Sequence, residues 1–238
     1  MHASFNRWLI VDTSHHQGCV ALAEGALVLA ERRLDEARRH ARDLAPTIAE
    51  LLAEQKWGAR DLSGVIVSLG PGSYTGLRVG VMSAKTLAYA RGCVLLGVET
   101  FHAIARQAPP AALKLSVVAD AQQEKLYVQR FVRPAGGGDM QAAEALSILP
   151  WPEWQESLES EDYVTGPGLE GREERLPACV HLVAPVQRLP RAESLLRIGL
   201  ERHGRGERDA PFTLEPLYLR PSAAEEKWQA VRGSETRG

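Results

Sequence analysis

Two apolar segments that each end at an aspartate are the feature that most constrains the fold of this chain. The first segment, residues 9–11, is followed by Asp12, and the second, residues 115–119, is followed by Asp120. Short apolar runs continue after each aspartate, separated by turn-forming residues. Strands with such short joins form antiparallel meanders. The pattern therefore predicts that the chain builds one strand-rich unit and then starts a second.

Helical patterns alternate with strand patterns after each predicted meander. Apolar side chains recur at helical spacing over residues 35–56 and 75–91, and Pro46 is expected to kink or break the first of these helices. The sequence also predicts strands at residues 65–68, 94–98, 125–132, 143–149, 163–165 and 181–183, and helices at residues 102–107, 151–158 and 192–202.

This order of elements predicts an α/β protein with an actin-like (ribonuclease H-like, ASKHA) two-lobed fold and mixed sheets. We expect an N-terminal lobe over residues 1–108, a smaller C-terminal lobe over residues 109–221 and a polar tail over residues 222–238. In such folds a nucleotide lies between the lobes, and the carboxylates after the two first strands handle its metal and phosphates.

The composition of the chain indicates which cellular compartment and which kinds of partner to expect. The chain has 238 residues, of which 45% are hydrophobic, and a net charge of −2. A charge so close to zero argues against extended nucleic-acid contact by this chain alone. Its three cysteines form no paired motif, and no apolar run approaches the ~18 residues that span a bilayer. We expect a cytoplasmic protein that makes no membrane contact.

The glycine-rich run at residues 68–80 joins a predicted strand to a predicted helix. It lacks the lysine of a Walker A loop and the spacing of a dinucleotide-binding fingerprint, although the helix start could still hold an anion. Small residues then recur every fourth position, which places them on one stripe of the helix. The stripe has two interpretations at this stage: it packs inside this chain, or it contacts a homologous subunit. Its members are Gly76, Gly80, Ala84 and Ala88.

The polar residues that could form a site have two possible interpretations. Asp12, Thr13, Ser14 and Asp120 could contact a metal–phosphate group, or the aspartates could simply bind backbone N–H groups in their turns. None of the seven histidines has another four positions away, so no helical metal pair is present. The adjacent pair at positions 15 and 16 would point to opposite faces of an extended chain. We therefore predict no metal site and no catalytic residue.

The chain resembles the TsaB (YeaZ) family, which is related to the TsaD and glycoprotease-like proteins. The residues that carry the resemblance are Ile10-Val11-Asp12-Thr13-Ser14, His40 with Leu44-x-Pro46-x-Ile48, the run from Gly70 to Arg78, Ala84-Lys85-x-Leu87-Ala88-Tyr89-Ala90, Gly97-Val98-Glu99, Asp120-Ala121 with Tyr127, and the run from Pro216 to Pro221.

The resemblance implies a non-catalytic subunit that binds a TsaD-type enzyme during threonylcarbamoyl modification of adenosine in tRNA. It further implies a TsaE-type ATPase in the complex, a TsaC-type supplier of the activated group, and contact with tRNA only through the complex. It implies no required cofactor, with weak nucleotide binding by a vestigial site. A partner surface left uncovered often self-associates, so the isolated chain could be a homodimer as well as a monomer. The partner interface is expected to include His40, Leu44, Ile48, Gly76, Leu77, Gly80, Val81, Ala84 and Ala88.

A different class of function also fits the residues. Two aspartates after first strands and two glycine turns suit a working nucleotide-dependent ATPase or kinase of the same fold. The second turn, residues 166–168, contains a proline that removes one N–H donor, which weakens this alternative.

Overall fold

The computed structural model describes residues 6–34 and 40–219, apart from the side chains of residues 40 and 41. Among these residues no helix is both long enough and apolar enough to cross a membrane. The chain forms two mixed sheets, each covered by helices on both faces. The predicted α/β, actin-like class is therefore confirmed.

The first sheet contains five strands in the order β3-β2-β1-β4-β5. Strand β2 is antiparallel to β1 and β3, whereas β4 and β5 run parallel to β1. The strands are β1 (Arg7–Asp12), β2 (Cys19–Glu24), β3 (Leu27–Arg33), β4 (Gly64–Ser68) and β5 (Val94–Val98), and the helices of this half are α1 (His40–Glu54), α2 (Tyr74–Arg91) and α3 (Thr100–Ala105).

The second sheet repeats this order of strands. Its first strand again pairs with an antiparallel second strand and a parallel fourth strand, and two short strands share the third position. The strands are β6 (Lys114–Asp120), β7 (Lys125–Val132), β8 (Gln141–Ala142), β9 (Ser147–Pro150), β10 (Tyr163–Thr165) and β11 (His181–Leu182), and the helices are α4 (Trp151–Glu156) and α5 (Ala192–Gly204). The two halves thus share one topology, as the pattern of aspartate-ended segments predicts.

Alternation along β1 explains how the first sheet is covered. Leu9 and Val11 face the core under α1 and α2, whereas Trp8 and Ile10 face the core under α5. Because successive side chains of a strand point to opposite faces, the continuous apolar run of β1 is what a strand buried on both faces requires. The carboxyl end of this rigid strand carries the candidate site residues.

Helix α5 corrects the expected lobe boundary. It lies beyond the second sheet in sequence but packs on the first, where Leu195 and Leu196 contact the cluster that contains Trp8 and Ile66. The segment after it also returns to the first lobe, since Leu217 N–H donates to the Leu69 carbonyl at 2.8 Å. The second lobe therefore ends before α5 rather than at residue 221, and residues 222–238 lie outside the described part.

Of the kink or break expected at Pro46, the break does not occur. Helix α1 runs through this proline without interruption. Both Pro46 and Arg42, whose carbonyl loses its helical donor, are exposed. At such an exposed position water can replace the missing N–H donor, which offsets the hydrogen-bond part of the cost of an interior proline.

Helix α2 approaches the turn after β1 more closely than a side chain would allow. A Cβ atom built on Gly76 would lie less than 3.0 Å from the Thr13 carbonyl oxygen, and one built on Gly80 would lie as close to Thr13 Oγ1. Ala84 and Ala88 continue the stripe into the core cluster of the first lobe. Of the two interpretations of the small-residue stripe, the structure therefore supports packing within this chain.

The substitution Gly76→Ala tests this close approach. We expect it to lower the free energy of unfolding by about 1–3 kcal/mol, because the methyl group must displace backbone. Urea unfolding of the full chain measures the change. The matched control is Gly204→Ala in the last turn of α5, where an added Cβ has no neighbour within 4 Å. Equal effects of the two substitutions would contradict the proposed steric limit.

Candidate functional site

A cleft between the lobes is the concave site nearest to the predicted site residues. It has a volume of about 740 Å³ and lies where the carboxyl ends of β1 and β6 face each other. Actin-like folds place a nucleotide at this position. The first lobe contributes Ser14, His15, His16, Gly72, Ser73, Tyr74 and Thr75, and the second contributes Ala119, Asp120, Ala121, Gln122, Tyr127, Pro167, Gly168, Glu170 and Arg172.

Asp12 is buried beneath the cleft and does not line it. Its Oδ1 accepts a hydrogen bond from Ser68 Oγ at 2.6 Å and another from Ser14 N at 3.0 Å. Its side chain therefore serves the turn after β1 and the end of β4. The adjacent Cys19 is also buried, and burial together with the charge of Asp12 raises the pKa of its thiol, so the group stays protonated.

Asp120 makes the same turn in the second lobe but is exposed to the cleft. Its Oδ1 accepts from Gln122 N at 3.0 Å, at the same spacing as the bond from Ser14 to Asp12. Arg172 Nη2 lies 3.9 Å from Asp120 Oδ1. Both aspartates thus accept backbone N–H groups in their turns, and the carboxylate of Asp120 also lines the cleft.

Thr13 and Ser14 hold the start of α2. Thr13 is fully buried under the glycines of this helix, and the Ser14 carbonyl accepts from Ser73 N at 2.7 Å. Ser14 reaches the wall of the cleft, whereas Thr13 does not. Of the four predicted cofactor-binding residues, Ser14 and Asp120 therefore line the cleft, while Asp12 and Thr13 lie behind its surface.

The glycine-rich run forms a structural turn that begins α2. Ser73 caps the helix, since its Oγ accepts from Gly76 N at 3.2 Å. Gly70 adopts a left-handed φ of 103° and precedes a cis peptide bond to Pro71. Its N–H donates to Thr100 Oγ1 at 3.1 Å, which ties the turn to α3. Several polar groups that a phosphate cradle would offer are therefore used within the chain.

A cluster of His15, His16 and Glu170 at the cleft mouth was not predicted. The two histidine rings lie with their centroids 3.8 Å apart, because the chain turns between β1 and β2 instead of remaining extended. The sequence argument that adjacent side chains diverge is therefore wrong at this turn. The signal available in the sequence was the turn-forming residues that surround the pair.

The predicted interface residues lie mainly in the core. Ile48 is partly buried, and the side chain of His40 lies outside the described residues. Side chains that the chain itself covers can only support a partner surface indirectly. The residues that are buried are Leu44, Gly76, Leu77, Gly80, Val81, Ala84 and Ala88.

The outer face of α2 carries exposed apolar side chains that are absent from the list of predicted interface residues. Met82 is 57% exposed and Tyr89, two helical turns further on, is 65% exposed. The C-terminal segment runs beside the helix, where Phe212 contacts Tyr89 with ring centroids 5.2 Å apart and Tyr218 contacts Tyr74 at 4.8 Å. The seven-residue spacing of Met82 and Tyr89 is the sequence signal that could have identified this face.

Replacing the two aspartates separates their roles. We expect Asp12→Ala to lower the free energy of unfolding by about 1–3 kcal/mol, because it leaves the buried Ser68 hydroxyl and the Ser14 N–H without their acceptor. Asp120→Ala should change it by less than about 0.5 kcal/mol, since the turn is solvated. Chemical denaturation of both variants measures this difference. A larger loss for Asp120→Ala would contradict the assignment.

Comparison with known proteins agrees with this architecture. Residues 29–149, half of the chain, match the family model described as TsaD, tRNA N6-adenosine threonylcarbamoyltransferase. The tRNA threonylcarbamoyladenosine biosynthesis protein TsaB of Bacillus subtilis is 28% identical over 92% of this chain and 96% of its own length. The Escherichia coli protein of the same name is 27% identical over 96% and 100%.

A solved structure extends the likeness to three dimensions. YeaZ from Pseudomonas aeruginosa superposes with a TM-score of 0.74 at 27% identity and covers 90% of this chain and 100% of its own. Sequence and structure thus match the same group over most of the chain. The chain therefore belongs to the TsaB (YeaZ) family, which is related to TsaD.

Proposed function

We propose that this chain acts in the biosynthesis of threonylcarbamoyladenosine in tRNA, as a non-catalytic partner of a TsaD-type enzyme. The observation that carries the proposal is the family match over residues 29–149 in a chain that has no pair of histidines four positions apart. The resemblance implies that such a pair binds the metal of the catalytic subunit. A chain that matches the family but lacks this pair of histidines is consistent with an accessory role.

The outer face of α2 is the surface we assign to the partner. Its exposed apolar side chains form a strip with those of the C-terminal segment. Large apolar side chains that are exposed along one side of a helix are typical of interaction sites. Strip members are Tyr74, Met82, Tyr89, Phe212 and Tyr218, and we call them the α2 strip.

The buried side of α2 supports this surface. Lys85 Nζ donates to the Leu214 carbonyl at 2.9 Å, which fastens the C-terminal segment along the helix. The glycines hold the opposite side against the turn after β1. A surface that is already ordered loses little conformational entropy on binding. The residues that the sequence assigned to the interface thus contribute by fixing the position of the helix.

Substitution of the α2 strip tests the assignment. We expect Met82→Glu to weaken the complex with the cognate TsaD-type enzyme by about 2 kcal/mol or more, as at an interface hot spot, because a charge is buried there. Size-exclusion chromatography and calorimetric titration of the full chain measure it. Leu113→Glu, which places the same charge at a position that is 66% exposed in the second lobe, is the control and should bind normally.

Two results of this experiment would contradict the proposal. If the unsubstituted chain forms no complex with the enzyme, the accessory role fails. If the complex forms but Met82→Glu binds as tightly as the control, the α2 strip is not the contact surface.

We also expect the α2 strip to mediate self-association of the isolated chain, because both contacts would use the same exposed apolar area. A TsaE-type ATPase is proposed to join the complex.

A nucleotide-dependent enzyme is the second candidate, and the cleft favours it. The cleft has the volume of a small-molecule site and lies at the nucleotide position of the fold. Calorimetric titration with Mg-ATP separates the candidates. The accessory role predicts a Kd weaker than about 1 mM, that is, less than about 4 kcal/mol of binding free energy, with no turnover. Tight binding with hydrolysis would favour the enzyme.

A further inference from the structure

We propose that His15, His16 and Glu170 form a binding site for a divalent transition-metal ion of the zinc type at the mouth of the cleft. The proposal does not depend on the proposed function. Nε2 of His15 lies 3.9 Å from Glu170 Oε2, and Nε2 of His16 lies 4.0 Å from the same oxygen. One ligand atom from each residue lies within 4.8 Å of the other two.

These separations are close to those of a tetrahedral metal site. Bonds of about 2.0–2.1 Å in tetrahedral geometry place neighbouring ligand atoms about 3.4 Å apart. The two histidine–glutamate separations must therefore shorten by about half an ångström, whereas the two imidazole ligand atoms lie within 4.8 Å of each other. Glu170 is exposed, so its side chain can make most of this movement. The two histidine rings already lie beside each other, with centroids 3.8 Å apart and planes inclined at 44°, so both imidazoles are near Glu170.

The ligand types select the class of metal. Two imidazoles and one carboxylate suit Zn²⁺ and similar ions, whereas Mg²⁺ and Ca²⁺ prefer oxygen ligands throughout. His15 Nδ1 accepts a long contact from Gln17 N at 3.4 Å. Coordination through Nε2 leaves the imidazole proton on Nδ1 and removes this contact, which is too long to be strong. Three protein ligands leave a fourth position for water or for an anionic group in the cleft.

The proposed ion would connect the two lobes. His15 and His16 belong to the turn between β1 and β2, whereas Glu170 follows β10 in the second lobe. The two imidazole Nε2 atoms approach the Glu170 carboxylate only to 3.9 and 4.0 Å. A shared ion would join the three side chains through coordinate bonds. Metal binding should therefore stabilise the arrangement of the lobes as well as provide a cation beside the cavity.

Zinc titration of the chelator-stripped full chain tests the proposal. We expect one Zn²⁺ per chain by calorimetry. Glu170→Gln and His16→Asn should each weaken binding at least tenfold, since even outer-shell partners of metal ligands are worth about 10- to 100-fold. The matched control is His181→Asn, because His181 pairs with Glu161 at 2.9 Å on the surface but belongs to no group of three candidate metal ligands among the described residues.

Two further measurements do not depend on activity. Co²⁺ in place of zinc should give the visible absorption of a tetrahedral site in the unsubstituted chain and in the control. Zinc should raise the melting temperature of both proteins but not that of Glu170→Gln, whose metal-free melting temperature should be unchanged because residue 170 is exposed. Absence of one-to-one binding, or unchanged affinity in Glu170→Gln and His16→Asn, would overturn the proposal.

Discussion

The close approach of α2 to the turn after β1 is the contact on which the rest of the structure depends. Glycines at positions 72, 76 and 80 allow the backbone and side chains of Thr13 and Ser14 to lie against the helix. This contact determines where the helix begins, and therefore where the first-lobe wall of the cleft lies. It also determines which side of the helix remains exposed. One steric requirement thus positions both the cleft and the α2 strip.

Glycines also allow close packing at the end of the first strand of the second lobe. An added Cβ at Gly166 or at Gly168 would crowd the backbone of Val118 and Ala119, next to the end of β6. In each lobe, glycines therefore pack at the carboxyl end of the first strand of the sheet, on one side of the cleft. This shared packing, together with the shared order of strands, gives a physical basis for the repeated pattern in the sequence.

Much of the fold could be predicted because its signals are local. Apolar runs bounded by turn residues placed β1, β4 and β6 within a residue or two of their observed bounds, and the order of elements gave the fold class. Tertiary contacts decided the rest. Nothing local in α5 indicates that its apolar side packs on the first sheet, because Leu195 and Leu196 could cover either sheet equally well.

The site was predicted less completely for a related reason. Spacing on a helix shows which residues share a face, but not whether that face meets the protein's own core or a partner. The spacing from Gly76 to Ala88 therefore groups the stripe correctly but leaves both interpretations open, and only the fold shows that the stripe is buried within this chain. Likewise, adjacency of His15 and His16 gives no direction for their rings until the turn is known. Burial and turn geometry are properties of the whole fold.

The orientation of Asp12 bears most directly on what the cleft can do. Its Oδ1 already accepts from the Ser68 hydroxyl and the Ser14 N–H, and a rotation toward the cleft that broke these bonds would cost about 1–3 kcal/mol for each buried group. Asp120 faces no such cost, because it already lies at the surface of the cleft. The two carboxylates that an actin-like enzyme would use together are therefore unequal. A cleft with one inward-facing and one outward-facing carboxylate favours binding or support over phosphoryl chemistry.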